Sequence, residues 1–136
     1  MTAEILVLAL TLYAEAQGEN WRGKTAVTDV IVTRSRQSGL TLAQVCKQPK
    51  QFSGWNRPAT MDKLAASVAE GKHRNDAAWS DCMLLATLAN RPGYRVKIKA
   101  THFYAPAKCS PSWAAKMKQV AVIGAHRFML EQRRAK

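Results

Sequence analysis

The carboxylates of this chain are the first candidates for chemistry, because a partly buried acid can transfer protons. Of the nine, Glu4, Asp62 and Asp76 stand at predicted helix N termini, where the helix dipole accounts for them. Glu15 differs, because it comes at or just past the C-terminal end of the most apolar segment of the chain. Desolvation and the negative end of the helix dipole would both raise its pKa. A carboxyl that is protonated near neutral pH is what a general acid for glycosidic cleavage requires, whereas the alternative is an ion pair with an arginine.

Glu19 is the near candidate for a second carboxylate, since it lies four residues after Glu15. If the backbone stays roughly helical, the two charges repel and the pKa of Glu15 rises further. Asp29 is interpreted instead as a solvated residue on the outer side of a helix.

Two clusters combine aromatic rings with polar groups. The loop around Gln51, Phe52, Ser53 and Trp55 has a composition suited to stacking on sugar rings and bonding their acetamido groups. The alternative is that its two aromatics anchor the loop in the core. Residues 101–104 (Thr-His-Phe-Tyr) place the polar tips of His102 and Tyr104 beside aromatic faces, although a lone histidine is more often structural.

Metal, cofactor and cysteine chemistry are not predicted. The three histidines show no HExxH or other short-spaced pair, so no metal site is expected. The motifs GxSxG, GxGxxG and the P-loop are absent from the sequence, and no cofactor is predicted. Three cysteines without a CxxC spacing argue against a disulfide framework, and Cys82 lies on an apolar helix face that indicates a core position.

The elements that position these residues are mostly helical. The segment from Glu4 to Tyr13 is apolar on every side, which predicts a central buried helix capped by Thr2. A second helix should begin after Asn20 and end near Arg36. Further helical segments are predicted at three places: Thr41 to Cys46, from Thr60, and from Asn75-Asp76.

Strands are predicted only in the last third of the chain. Apolar Tyr94, Val96 and Ile98 alternate with basic residues, a pattern typical of a half-buried strand. A second strand is predicted from Gln119 to Ile123, and residues 123–128 suggest a tight turn into a closing strand. The predicted fold is α+β, mainly helical, with a small antiparallel ribbon in the C-terminal third.

Length and composition limit the number of domains and the kinds of partner that the chain can have. A chain of 136 residues without repeats or linkers predicts a single domain, residues 1–136. The longest apolar run, Ile5 to Leu10, is too short to span a membrane and lacks the basic flank of a signal peptide. The formal net charge is +12, concentrated in the second half, where Glu131 is the only carboxylate after Asp81. Such a charge attracts polyanions: nucleic acid, anionic lipid or an anionic wall polymer.

Five ordered motifs resemble one known family. Residues 10–19 (LTLYAEAQGE) and 21–31 (WRGKTAVTDVI) resemble the opening of the cell wall hydrolases typified by the spore-cortex-lytic enzyme SleB. Later stretches are similar to that family's other motifs in the same order; they are residues 48–55, 100–106, 110–113 and 123–128. Ala105 departs from the pattern, since the family commonly has an asparagine there.

The resemblance implies a lysozyme-like fold and cleavage of peptidoglycan between N-acetylmuramic acid and N-acetylglucosamine, with Glu15 as the catalytic acid. It favours a lytic transglycosylase, in which the 6-hydroxyl of the sugar attacks and a 1,6-anhydro product forms. The alternative is a hydrolytic muramidase that uses a second carboxylate, for which Glu19 is the candidate. Substrate positioning is assigned to Tyr13, Ser53, His102 and Tyr104, together with Glu19, Gln51, Phe52 and Trp55.

A basic catalytic domain without a signal peptide looks most like a bacteriophage endolysin, held in the host cytoplasm until lysis and then acting on the periplasmic wall. We expect a monomer whose basic half binds anionic wall polymers or lipopolysaccharide. The competing classes are a nucleic-acid-binding protein, which the charge favours, and a metal-dependent wall amidase. A carboxylate pair at the end of an apolar helix is unsuited to a phosphate site, so nucleic acid is not the predicted partner.

Overall fold

The computed structural model describes residues 2–48, 52, 55 and 57–132, in which helices precede a small sheet. The α-helices are α1 (Ala3–Ala16), α2 (Trp21–Ser38), α3 (Leu42–Cys46), α4 (Pro58–Ala69) and α5 (Ala77–Ala89). The strands are β1 (His102–Tyr104), β2 (Lys118–Ile123) and β3 (His126–Leu130), with a 3₁₀ helix at Ser112–Lys116. This order confirms the predicted α+β class.

Helix α1 is the centre of the fold, as its uniformly apolar sequence predicts. The Thr2 side chain accepts the first-turn amide of Ile5, while Leu8 and Leu12 are fully buried. The helix packs against α2, α3, α4 and α5, so its sides are covered by other helices. It continues to Ala16, three residues beyond the predicted end, and this brings Glu15 into its last turn.

Helix α2 begins and ends at the signals present in the sequence. Asn20 accepts the amide of Gly23 at the N terminus, and Gly39 closes the C terminus in a left-handed conformation with φ of 76°. The predicted inner face, including Val27 and Ile31, is buried.

The prediction for Asp29 is wrong, because this residue is completely buried. Its Oδ1 accepts the Tyr94 hydroxyl at 2.6 Å, and its Oδ2 accepts the amides of Lys97 at 2.9 Å and Ile98 at 3.1 Å. Three donors from a distant segment therefore replace the water that a solvated carboxylate would bind.

The predicted strand through Tyr94, Val96 and Ile98 does not form. The burial pattern is the expected one, with these three residues half-buried and the basic residues between them exposed. However, the Lys97 and Ile98 amides are bonded to the Asp29 carboxylate, so they are not available to a neighbouring strand. The segment remains irregular and lies along α2.

The sheet is antiparallel with strand order β1-β3-β2. Phe103 pairs with Phe128 in the central strand, and Ile123 pairs with His126 beside the β2–β3 turn. The turn contains Gly124 at φ of 56°, and fully buried Phe128 attaches the sheet to the helical core. The predicted strand at residues 119–123 and the closing strand are therefore confirmed. Within the described ranges, no helix has the length and apolar character needed to cross a membrane.

Candidate active site

Glu15 lies in a groove at the junction of the helices and the sheet. The groove has a volume of about 330 Å³, and Glu15 is half-buried within it. One wall is the end of α1 with the α1–α2 connection around Gly18, and the other includes Lys108 and the β2–β3 turn at Ala125 and His126. The groove therefore places a carboxyl between the helices and the sheet.

Glu19 lines the same groove, but its carboxylate bonds to the β2–β3 turn. Its Oε1 lies 2.7 Å from Nδ1 of His126 and accepts the Ala125 amide at 3.1 Å. The Glu19 and His126 side chains are each only 12% exposed. The α1–α2 connection is thus joined to a turn that comes more than a hundred residues later in the chain.

Two glycines make room for this side chain. A Cβ atom on Gly124 would lie 2.0 Å from the Glu19 Oε2 atom, and one on Gly23 would lie 2.8 Å from the Glu19 Cβ atom. Both distances are shorter than real Cβ contacts. We call the five residues Glu19, Gly23, Gly124, Ala125 and His126 the Glu19 clamp, because they hold the two walls of the groove together.

Lys24 stabilises the backbone of the Glu19 clamp. Its side chain is buried, its ammonium group donates to the Glu19 carbonyl oxygen, and it lies 3.9 Å from an Asp81 carboxylate oxygen. Neither Lys24 nor the groove residue Lys108 was identified from the sequence. Lys24 follows the Gly-Glu pair by five positions, a local signal that was available, whereas nothing in the spacing connects Lys108 to Glu15.

Tyr13 lies on the other side of the α1 terminus, in a larger groove of about 500 Å³ next to α4. Its hydroxyl donates to Asp76 at 2.5 Å, and its ring packs edge-on against Trp79 and His73. The hydrogen bond to Asp76 raises the pKa of Tyr13 to about 12 and lowers the pKa of Asp76. Tyr13 therefore contributes a neutral phenol near the end of α1.

The aromatics of the 51–56 loop have core contacts. Phe52 is 3% exposed and packs against Phe103, while the Trp55 indole donates to the Thr11 hydroxyl at 2.8 Å. These contacts fit the alternative in which the two rings anchor the loop. Gln51 and Ser53 lie outside the described residues.

His102 and Tyr104 lie together but line a different part of the surface. Both rings contact Trp113, with centroid distances of 5.0 and 5.7 Å. His102 lines a separate cavity of about 170 Å³ that also includes Arg34, and burial lowers the pKa of His102. The structure thus brings Tyr13, Glu15 and Glu19 to the end of α1, whereas His102 belongs to another cavity; their roles toward substrate stay predictions.

Comparison with known proteins identifies the family. The sequence model of the cell wall hydrolase family matches residues 18–129. The chain belongs to the cell wall hydrolase family. The match includes Glu19, β1, β2 and all of β3 except its last residue, but it begins three residues after Glu15. This cell wall hydrolase is therefore an enzyme of wall degradation, as its motifs predict, and no curated protein sequence matches it.

A solved structure supports the fold of this cell wall hydrolase. The chain is similar to the catalytic domain of the germination-specific lytic transglycosylase SleB from Bacillus anthracis, with 23% identity over 95% of each chain and a TM-score of 0.63. This similarity confirms the predicted SleB-like, lysozyme-like architecture.

Proposed function

We propose that this cell wall hydrolase cleaves the bond between N-acetylmuramic acid and N-acetylglucosamine in peptidoglycan, with Glu15 as the general acid. The observation that carries the proposal is the position of Glu15, half-buried in the last turn of α1 and in a groove between the helices and the sheet. Family membership supports the wall as substrate, and the similarity to a lytic transglycosylase supports the bond chosen.

The first step is proton transfer from Glu15. Its carboxyl donates a proton to the glycosidic oxygen, the bond from that oxygen to the anomeric carbon breaks, and an oxocarbenium-like state develops on the muramic acid ring. The N-acetylglucosamine leaves with a free hydroxyl. Glu15 is then a carboxylate and can act as the base for the second step.

The hydrogen bonds of the Glu19 carboxylate support a second step in which the 6-hydroxyl of the sugar is the nucleophile. Glu15 and Glu19 are the two carboxylates among the described groove residues, and the Glu19 Oε1 atom accepts from Ala125 and His126. A carboxylate held in this way is poorly placed to attack a sugar or to activate water. We therefore propose that Glu15 takes the proton of the muramic acid 6-hydroxyl while that oxygen bonds to the anomeric carbon. The product is a 1,6-anhydro sugar, and no water is consumed.

The proposal is tested first by Glu15→Gln. Loss of general-acid catalysis should reduce turbidity clearing of purified peptidoglycan at least about a hundredfold. The melting temperature should stay the same or rise, since a half-buried acid has been removed. Glu70→Gln is the matched control, because Glu70 is exposed and pairs with Lys72, which is also exposed. A Glu15→Gln enzyme that keeps more than about a tenth of the activity would remove Glu15 from the mechanism.

Mass spectrometry of the released fragments tests the second step, because a hydrolytic product is heavier than an anhydro product by one water. We expect anhydro ends from the wild-type enzyme. Glu19→Gln should lose only part of the activity and still give anhydro ends, since the amide oxygen can accept the Ala125 amide. Complete loss in a folded Glu19→Gln protein, with reducing ends from the wild type, would instead make Glu19 a catalytic carboxylate.

The biological setting stays a prediction. We propose a bacteriophage endolysin whose basic surface binds anionic wall polymers or lipopolysaccharide. The supporting observation is the net charge of +12, a field that attracts an anionic wall.

A further inference from the structure

The groove next to α4 has no part in the steps described so far. It lies between the end of α1 and the start of α4, and at about 500 Å³ it is larger than the groove at Glu15. Its lining includes Tyr13, Ala14 and Gln17 from the α1 side and Arg57, Met61 and Leu64 from the α4 side.

The two grooves adjoin each other. Ala14 and Gln17 line both of them, so these two residues form the boundary between the grooves. Both residues are exposed, and Ala14 carries only a methyl group. A substituent on a sugar held at Glu15 would therefore lie beside the α4 groove.

The surface of the α4 groove suits aliphatic groups better than a sugar ring. Its aromatic residue, Tyr13, is half-buried, packs edge-on against Trp79, and uses its hydroxyl to bond Asp76. The remaining surface combines the aliphatic side chains of Met61 and half-buried Leu64 with the polar side chains of Gln17 and Thr60. Sugar rings stack on open aromatic faces, whereas the Tyr13 ring packs against Trp79; Met61 and Leu64 can pack against methyl groups.

Arg57 adds a single positive charge. It precedes the first residue of α4, its side chain makes no capping bond, and it is exposed. Within the part of the chain that the structure describes, no carboxylate lines this groove and no ion pair involves Arg57. The groove thus offers aliphatic walls and a guanidinium group suited to a carboxylate.

We propose that the α4 groove binds the acidic peptide stem of the muramic acid residue that is being cleaved. This inference rests on the proposed function, which places that sugar at Glu15. The lactyl group and the first alanine of a stem carry methyl groups, and the D-glutamate that follows carries a carboxylate. The methyl groups would contact the aliphatic residues of the groove, and the carboxylate would reach Arg57. The enzyme therefore prefers glycan that carries peptide stems to glycan without them.

Binding of a minimal ligand tests the inference without turnover. The Glu15→Gln protein should bind N-acetylmuramyl-L-alanyl-D-glutamate at least about threefold more tightly than N-acetylmuramyl-L-alaninamide, which has no carboxylate, by NMR titration. Adding Arg57→Gln should remove this difference, whereas Arg91→Gln, an exposed arginine near the end of α5, should preserve it. Equal binding of the two ligands by the Glu15→Gln protein would overturn the proposal.

Turnover provides the second test. Wild-type enzyme is compared on intact sacculi and on sacculi whose stems have been removed by an amidase. Arg57→Gln and Leu64→Gln should lower kcat/KM on intact sacculi, mainly through KM, and so reduce the ratio of the two rates at least about threefold. An equal loss on both substrates would mean that the groove holds sugars, and no change on either would exclude it from binding; both results overturn the proposal. Failure of the cleavage mechanism would appear differently, as activity that survives in Glu15→Gln.

Discussion

At the scale of single residues, the feature that the sequence hides best is the buried carboxylate of Asp29. Helical spacing places it away from the apolar residues of α2, and the outer side of a helix is normally solvated. Here that side is covered by the irregular segment that begins at Tyr94. A sequence pattern reports which side of a helix is apolar, but not whether a polar side later receives its own hydrogen-bond donors.

We expect Asp29→Ala to lower the free energy of unfolding by about 2–4 kcal/mol in urea denaturation, because it leaves one hydroxyl and two amides without an acceptor. Asp62→Ala, an exposed aspartate in α4, should change stability by less than about 0.5 kcal/mol. If Asp29→Ala were as stable as Asp62→Ala, the hydrogen bonds of Asp29 would not stabilise the packing of the segment from Tyr94 to Ile98 against α2.

At the scale of elements, the helices were predictable because their end signals are local. Thr2, Asn20 and Thr41 each cap the helix that follows, and a cap needs only residues three positions away. The strand predicted through Val96 does not form, and this was not predictable, since the amides of Lys97 and Ile98 bind a carboxylate 68 and 69 residues earlier and not a neighbouring strand. The position of Glu15 at the end of the apolar helix was predictable from the local sequence, because the apolar run ends just before it. The contact of Glu19 with His126 was not, because it depends on the folded sheet.

The Glu19 clamp gives a prediction for the β2–β3 turn. Gly124→Ala should lower kcat/KM on peptidoglycan about tenfold or more, because a methyl group at that position must displace the Glu19 carboxylate and shift the groove wall. Gly39→Ala is the matched control: its φ is also positive, at 76°, but no atom lies within 4 Å of the added methyl.

Both alanine variants should lose about 1–2 kcal/mol of stability from the left-handed backbone, as measured by thermal unfolding, and Gly124→Ala should lose more because it also displaces Glu19. Only Gly124→Ala should lose activity at a temperature where both are folded. Equal activities would show that the groove wall does not depend on the clamp.

At the scale of the whole molecule, two buried thiols should lower the free energy of unfolding in alkaline solution. Burial raises the pKa of both Cys46 and Cys82 from 9.0 to about 12. The folded protein therefore keeps these protons while the unfolded chain releases them, so stability falls as pH rises from 9.0 toward about 12.

Urea denaturation between pH 9.0 and 10.0 measures this pH dependence, to which Tyr13 and Tyr94 also contribute, because their pKa values are raised from 10.0 in the folded protein. Cysteine variants therefore identify the share that belongs to a thiol. Cys82→Ala should make the dependence on pH less steep, whatever its effect on the absolute stability. Cys109→Ala should leave the slope unchanged, since Cys109 is exposed. Identical slopes for all three proteins would exclude the Cys82 thiol as a cause.

The two walls of the groove at Glu15 come from opposite ends of the chain, so the ribosome synthesises them at different times. One wall comes from residues 14–19 and the other from residues 105–126. A ribosome-bound chain that has not yet reached Gly124 already contains Glu15, but it has no turn for Glu19 to hold and no second wall. Since helices with local contacts form faster than sheets with distant ones, the acid is in place well before the groove. A nascent or prematurely terminated chain therefore contains the proposed catalytic acid but lacks the second wall of its groove.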